Sequence, residues 1–257
     1  MRMIVTDLDR TLLIDHTHIS PYTQRIFTAC KQKGMYITFA TGRSERSSAK
    51  FINIIKPHAV ISNGGALVRS GDEVICRASL GLEKTNALIK ACTLSTSIGY
   101  ITADTDYGYY VNKLIDENDP NWADYLPVNY MNVYEGVPHG AYKVTVETSD
   151  AQAVYDIAEA YDDIAVTPFT GEGWYQLADN KADKWLGVVA LSQHLSIDTA
   201  DIIAFGDDYN DIKMLTGCGT GVAVSNAIDD VKNIADYICC TSENDGVAHW
   251  LEEHVLK

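Results

Sequence analysis

MIVTDLDRTLL, residues 3–13, is a short apolar run that ends in acid. Met3, Ile4 and Val5 do not alternate with polar residues. An unbroken apolar run of this length reads as a parallel strand covered on both faces, expected here over Met3–Asp7. Residues two apart on a strand share a face. Asp7 and Asp9 are therefore expected to aim two carboxylates into the crevice where open α/β sheets bind ligands. Taken alone, Asp7-Leu8-Asp9 is equally compatible with a solvated acidic turn.

Working outward, Ser20-Pro21 supplies an N-cap and a first-turn proline for a helix, and Gly34 its stop. Tyr36–Ala40 reads as a second strand, ending in Thr41-Gly42-Arg43. Ser44–Ile55 suits a helix. Val60–Ser62 is a third strand, broken by Asn63-Gly64-Gly65. This alternation is that of a doubly wound, Rossmann-like parallel sheet. The rhythm then changes. Helices are expected over Leu82–Thr96 and Ala151–Tyr161. A hairpin (Tyr100–Ala103 and Tyr109–Val111) is expected around Asp106-Tyr107-Gly108. Tyr142–Glu147 alternates like a half-exposed strand, and Ile164–Phe169 with Trp174–Ala178 form another strand pair. Residues 113–138 show no period.

The parallel pattern resumes with a helix over Ala182–His194, a strand over Ile202–Phe205 and a helix over Asn210–Leu215. A strand over Gly221–Val224 and a helix over Gly246–His254 complete it. The fold class is thus α/β. A core built from residues 1–80 and 180–257 is expected to carry an inserted α+β domain over residues 81–179, with two loosely related helix-plus-hairpin halves.

The 257 residues are 46% apolar and 21% charged, an ordinary composition for a globular chain that buries its own core. Acidic residues outnumber basic ones 35 to 20, for a net charge of −15. That sign argues against nucleic acid as a partner. The six cysteines form no C-x-x-C pair, and the N-terminus lacks a signal-peptide pattern. Reduced thiols, a cytoplasmic location and no membrane span are expected. A monomer or a homodimer is expected.

The chemistry gathers at strand ends. One of Asp7 and Asp9 can serve as a nucleophile and the other as a proton carrier, with a divalent cation offsetting their repulsion. Gly206-Asp207-Asp208-Tyr209-Asn210-Asp211 is a hard-oxygen cluster suited to magnesium rather than zinc, or an acidic turn opening a helix. Thr41 and the Gly42 N–H, at a helix start, can hold an anion or simply cap. Lys184, or Lys181, opens the helix that re-enters the core.

In this order, DLDRTLL, ATGR, a lysine before an apolar helix, and GDDYND resemble the motifs of the haloacid dehalogenase-like phosphatases. The closing GVAVSNAIDDVKNIADYICCTSENDGVAHWLEEHV is similar to their Cof-type branch. The resemblance implies that Asp7 is the nucleophile and a magnesium ligand. It makes Asp9 the general acid/base, with its backbone carbonyl a second ligand, and Asp207 the third. Asp211 would orient the acids. Leu8 N–H, Thr41, Gly42, Lys184 and Asn210 would hold the phosphoryl group of a small phosphorylated metabolite. The activity implied is Mg2+-dependent phosphomonoester hydrolysis, with a phosphosugar mutase or a non-catalytic phospholigand sensor as alternatives. The spacing of KWLGVVALSQHLSI favours Lys184 over Lys181, although Trp185 stands where the family usually has glycine. Arg10 also replaces a usual glycine. A side chain there is accommodated if φ is negative; it can reach toward the pocket or project into solvent, and a surface arginine is the favoured reading. Asn63-Gly64-Gly65 is expected to be a structural turn. His16 and His18 read as loop residues. Tyr107, Tyr109, Tyr110, Trp122, Tyr125, Trp174 and Tyr175 read as inserted-domain core or a dimer surface, ahead of a sugar platform.

Overall fold

Met3, Ile4 and Val5 are fully buried, as a strand covered on both faces requires. They lie in β1 (Met3–Thr6), which pairs in parallel with β2 (Tyr36–Ala40) on one side and β12 (Ile202–Gly206) on the other. These coordinates come from a computed structural model that describes residues 2–119, 122–171 and 173–257. Two of the aperiodic residues, Pro120 and Asn121, lie outside that range. The chain separates into two units. One runs to Arg77 and resumes over Asp183–Lys257; the other is Ala78–Ala182.

In the first unit the sheet continues from β2 to β3 (Ala59–Ser62), β4 (Leu67–Ser70) and β5 (Glu73–Arg77). From β12 it continues to β13 (Thr220–Val224) and β14 (Tyr237–Cys239). Six strands are parallel; β4 and β5 fold back antiparallel at one edge. The helices are α1 (Pro21–Gln32), α2 (Ala49–Ile55), α5 (Lys184–Leu195), α6 (Ile212–Gly217), α7 (Asp229–Ile234) and α8 (Gly246–Leu251). Phe27, Phe39, Phe51 and Phe205 are buried in its core. Helix α1 shows why the sequence signals hold. Ser20 Oγ accepts the Thr23 N–H at 3.0 Å, a cap worth about 1 kcal/mol. Gly34, at φ 80°, lets its own N–H reach Lys31 O and the Met35 N–H reach Cys30 O, closing the last turn.

Two local expectations change. The second helix begins at Ala49, not Ser44. Ser47 and Ser48 hydroxyls and the Ser44 side chain bond nearby backbone groups over residues 44–48, and such bonds compete with the helical ladder. β1 also ends at Thr6. The chain turns there because the Leu12 and Leu13 N–H groups both reach back to Leu8 O at 2.9 Å. Asp7 and Asp9 are therefore not strand neighbours on one face.

The second unit holds a sheet in the order β10 (Ile164–Phe169), β11 (Trp174–Asp179), β9 (Ala141–Thr148), β6 (Ile98–Thr105), β7 (Gly108–Val111), β8 (Val128–Tyr130). Among the described residues of this sheet, only β7 and β8 pair in parallel. Helices α3 (Leu82–Leu94) and α4 (Ala151–Ala158) each precede a hairpin. They bury Leu88, Ile89 and Val154 against Ile101, Ala103, Val144, Val146 and Leu177. Period-two alternation places Thr102, Asp104, Lys143, Thr145 and Gln176 on the sheet's other face, where Asp104 opposes Lys143 and Thr145 lies between Thr102 and Gln176.

Candidate active site

The three central parallel strands carry the sequence-predicted residues at their carboxyl ends. Asp7 follows β1, Thr41 follows β2 and Asp207 follows β12. The Asp7 N–H donates to Phe205 O at 3.0 Å, extending the β1–β12 ladder by one bond and fixing the Asp7 backbone. Asp7, Thr41, Lys184, Asp207 and Asp211 are all buried.

Lys184 is the hub. Its Nζ donates to Asp7 Oδ1 at 2.7 Å, Asp211 Oδ1 at 2.8 Å and Asn210 Oδ1 at 3.2 Å. Burial opposes a charged ammonium, but the Asp211 and Asp7 carboxylates outweigh it and hold the Lys184 pKa above the usual lysine value. Lys181, by contrast, lies in an exposed turn. Asp183 caps α5 by accepting the Trp185 N–H at 2.8 Å, so Lys184 is anchored at a first helical residue. The Asn63-Gly64-Gly65 turn fixes the same point. A Cβ at Gly65 would stand 2.3 Å from the Asp183 carbonyl carbon; only glycine lets the turn lie there. Trp185 is accommodated because Gly217 leaves room: a Cβ at Gly217 would stand 2.6 Å from the indole.

Asp211 uses both oxygens. Oδ1 takes Lys184, and Oδ2 accepts the Asp207 and Asp208 N–H groups at 3.0 and 3.2 Å. Gly206 makes this possible, since a Cβ there would lie 2.5 Å from Asp211 Cβ. Asp207 Oδ1 accepts the Thr11 hydroxyl at 2.7 Å. One carboxylate oxygen from each of Asp7, Asp207 and Asp211 lies within 4.8 Å of the others. Burial and neighbouring carboxylates push Asp7 well above the usual carboxylate range, against the pull of Lys184. Burial and Asp211 push Asp207 up to about 7, against Thr11, Lys184 and Arg10. Three buried acids facing Lys184, with only the partly exposed Arg10 3.7 Å from Asp207 besides, are under-neutralised, which is unfavourable without a further positive charge. Their hard oxygens fit a divalent cation such as magnesium.

Asp9 stands apart from that cluster. Its carboxylate is one-third exposed and takes two 2.7 Å hydrogen bonds from Arg43 Nε and Nη2, plus His16 Nδ1 at 3.2 Å. Burial opposes ionisation, yet Arg43 and His16 overcome it and hold Asp9 far below the usual range. Each acid of Asp7-Leu8-Asp9 thus has a cation in hydrogen-bonding reach, Lys184 (shared with Asp211) for Asp7 and Arg43 for Asp9. Arg43 and His16 were not expected here; the bidentate reach of arginine to carboxylate was the available signal. Thr41 donates its N–H to Ile61 O at 2.8 Å, and its Oγ1 accepts the Arg43 N–H at 3.1 Å. Thr41 and Gly42 lead into turns rather than a helix start. Leu8 is fully buried, with its carbonyl holding the turn.

Arg10 departs from expectation. Its φ is 57°, left-handed, which costs about 1–2 kcal/mol for a residue with a Cβ. Its side chain is 33% exposed and lies 3.7 Å from Asp207 Oδ2, against the acid cluster rather than out in solvent. The aromatic candidates divide. Tyr109, Trp122, Tyr125 and Trp174 cluster with Tyr100, at ring separations of 4.8–6.5 Å. Tyr110 and Tyr175 pack on the helix-covered core. Tyr107 is exposed beside His139.

Acids and a threonine thus follow the carboxyl ends of the central parallel strands, with a buried lysine beside them at the start of α5. The sequence matches the family described as haloacid dehalogenase-like hydrolase over residues 4–251, and the chain belongs to that family, as its four motifs imply. It is 28% identical over 262 residues to the 5-amino-6-(5-phospho-D-ribitylamino)uracil phosphatase YitU of Bacillus subtilis, covering 98% of this chain and 97% of that protein. Its fold is similar to that of SMU.1108c from Streptococcus mutans (TM-score 0.88, 21% identity, 100% and 99% covered). It is also similar to that of the subclass IIB sugar phosphatase BT4131 (TM-score 0.83, 23% identity, 98% of each). Among the described residues, no helix is long and apolar enough to cross a membrane.

Proposed function

We propose that this protein is a magnesium-dependent phosphomonoesterase that acts on a small phosphorylated metabolite, of the sugar phosphate class, through a phosphoaspartate on Asp7. The observation that carries this reading is Lys184 Nζ bridging Asp7 and Asp211 inside a buried, under-neutralised acid cluster. Asp7, Asp207 and the Asp9 carbonyl would hold the cation. When bound, it would shield Asp7 from the anionic phosphate and neutralise charge on the phosphoryl oxygens.

The chain's own groups supply the rest. An Asp7 carboxylate oxygen attacks phosphorus, and the bond from phosphorus to the leaving oxygen breaks with its electron pair on that oxygen. Asp9 gives that oxygen a proton. Asp9 then takes a proton from water as the water oxygen attacks the phosphoryl group, and the bond to Asp7 breaks, freeing phosphate and regenerating the carboxylate. Lys184, Asn210, the Thr41 hydroxyl and the Leu8 and Gly42 N–H groups hold the transferring group. An Asp9 gripped by Arg43 rests as the anion, so that pair must loosen and Asp9 take a proton from solvent before it can deliver one to the leaving oxygen.

The Ala78–Ala182 unit is assigned the role of specificity domain. Thr102, Asp104, Lys143, Thr145 and Gln176 on one sheet face offer the polar groups needed to read hydroxyls. YitU, by its name, acts on a phosphorylated ribityl compound, which supports a polyhydroxylated substrate. The test is phosphate release across a panel of phosphorylated metabolites with and without Mg2+, alongside Asp7→Asn. Turnover that needs both Mg2+ and Asp7 is expected; metal-independent turnover contradicts the reading.

A further inference from the structure

Arg10 is held too firmly for an incidental surface arginine. Its backbone takes a left-handed conformation that L side chains rarely adopt, and such outliers mark positions that the surrounding structure over-determines. Asn226 clasps it at two points. Asn226 Nδ2 donates to Arg10 O at 2.7 Å, and Arg10 Nη2 donates to Asn226 O at 3.3 Å. Asn226 is itself fixed, its Oδ1 accepting the Ser242 N–H at 2.9 Å. The clasp sets Arg10 Nε 3.7 Å from Asp207 Oδ2. Thr11 occupies the other oxygen of the same carboxylate.

We propose that Arg10 is a positioning residue for the metal site, a fixed positive charge that shares Asp207 with the divalent cation and weakens its binding. This rests on the reading of Asp207 as a cation ligand. A guanidinium and a cation drawn to one carboxylate repel each other, and that repulsion is strong where side chains are largely shielded from water. A chain with glycine at this position lacks the opposing charge.

Titration calorimetry with Mg2+ on the full chain tests this. The variants are Arg10→Met, which removes the charge but keeps bulk, Arg10→Asn, which removes the charge and tolerates a left-handed backbone, and Arg10→Lys, which keeps the charge. Asp207→Asn serves as the site control. Both neutral variants are expected to bind Mg2+ about tenfold more tightly than the parent, with Arg10→Lys close to the parent. The gap should narrow at high ionic strength, because a partly exposed charge is screened; a purely structural effect would not respond to salt. Parent and Asp207→Asn differing as expected while both neutral variants match the parent overturns the inference and leaves the site reading intact. Tightening in Arg10→Asn alone points to backbone relief and also overturns it. Mg2+ binding that is absent in the parent, or unchanged in Asp207→Asn, overturns the site reading and the inference with it.

Discussion

Lys184 Nζ lies 2.7 Å from Asp7 Oδ1, joining residues 177 positions apart in the chain. Both side chains are buried, so neither charge has water to fall back on. Replacing the lysine leaves Asp7 and Asp211 as uncompensated buried acids, a loss of about 3–5 kcal/mol where the acids stay ionised. Lys184→Met should lower the midpoint of urea unfolding and reduce turnover on the order of 10²–10³-fold. A variant with parental stability and rate contradicts the hub role.

Arg43 holds the Asp9 carboxyl well below the usual carboxylate range, with help from His16 and against burial. Removing the guanidinium should let that pKa rise. Any step that needs ionised Asp9 then loses activity at a higher pH. Where hydrolysis of the phosphoaspartate limits turnover, the acid limb of the kcat profile in Arg43→Met should move up by about 1–3 pH units, with less change in Arg43→Lys. Superimposable limbs in parent and variant would show that Arg43 does not set Asp9.

Asp7 and Asp207 shift the other way, Asp207 up to about 7 through burial and Asp211. Unfolded, both ionise near pH 4. Between that pH and 7 the folded chain holds protons that the unfolded chain has released, so their contribution to stability falls as pH rises. In EDTA, Tm should drop from pH 5.5 to pH 8, and less steeply in Asp207→Asn. Mg2+ needs the ionised carboxylates, so it should raise Tm more at pH 8 than at pH 5.5. Equal Mg2+ effects at both pH values contradict the acid cluster as its site.

Gly65 touches the site only through backbone. An alanine there meets the Asp183 carbonyl at 2.3 Å and must hold φ 103°. Gly65→Ala should lose at least about 1–3 kcal/mol of stability and, in the fraction that folds, turnover as well, because Lys184 moves with Asp183. Unchanged kcat in a folded Gly65→Ala sample would separate the turn from the lysine.

Long-range placement of the acids was legible because apolar strands before Asp7 and Asp207 need only their own composition to be recognised. Lys184 was legible from its helix and from the motif order. The Arg43–Asp9 pair was not: arginine reach is a side-chain property, and the turn after Thr6 that separates Asp9 from Asp7 depends on Leu12 and Leu13 returning to Leu8 O. Arg10 misled because its left-handed backbone is stabilised by Asn226, 216 residues away. The hairpin β4–β5, strands β8 and β14 and the six-residue helix α7 were missed because segments of three to six residues are too short to show a period. The aromatics of the Ala78–Ala182 unit could not be sorted into faces until strand register was known, since one position moves a ring from core to open face.

The most direct measurement is acid-quenched mass spectrometry of the enzyme during turnover of a phosphomonoester with Mg2+. One phosphoryl group is expected on the peptide that contains Asp7, absent in Asp7→Asn. Turnover at a near-normal rate in Asp7→Asn, or a phosphoryl group on another residue, contradicts Asp7 as the nucleophile.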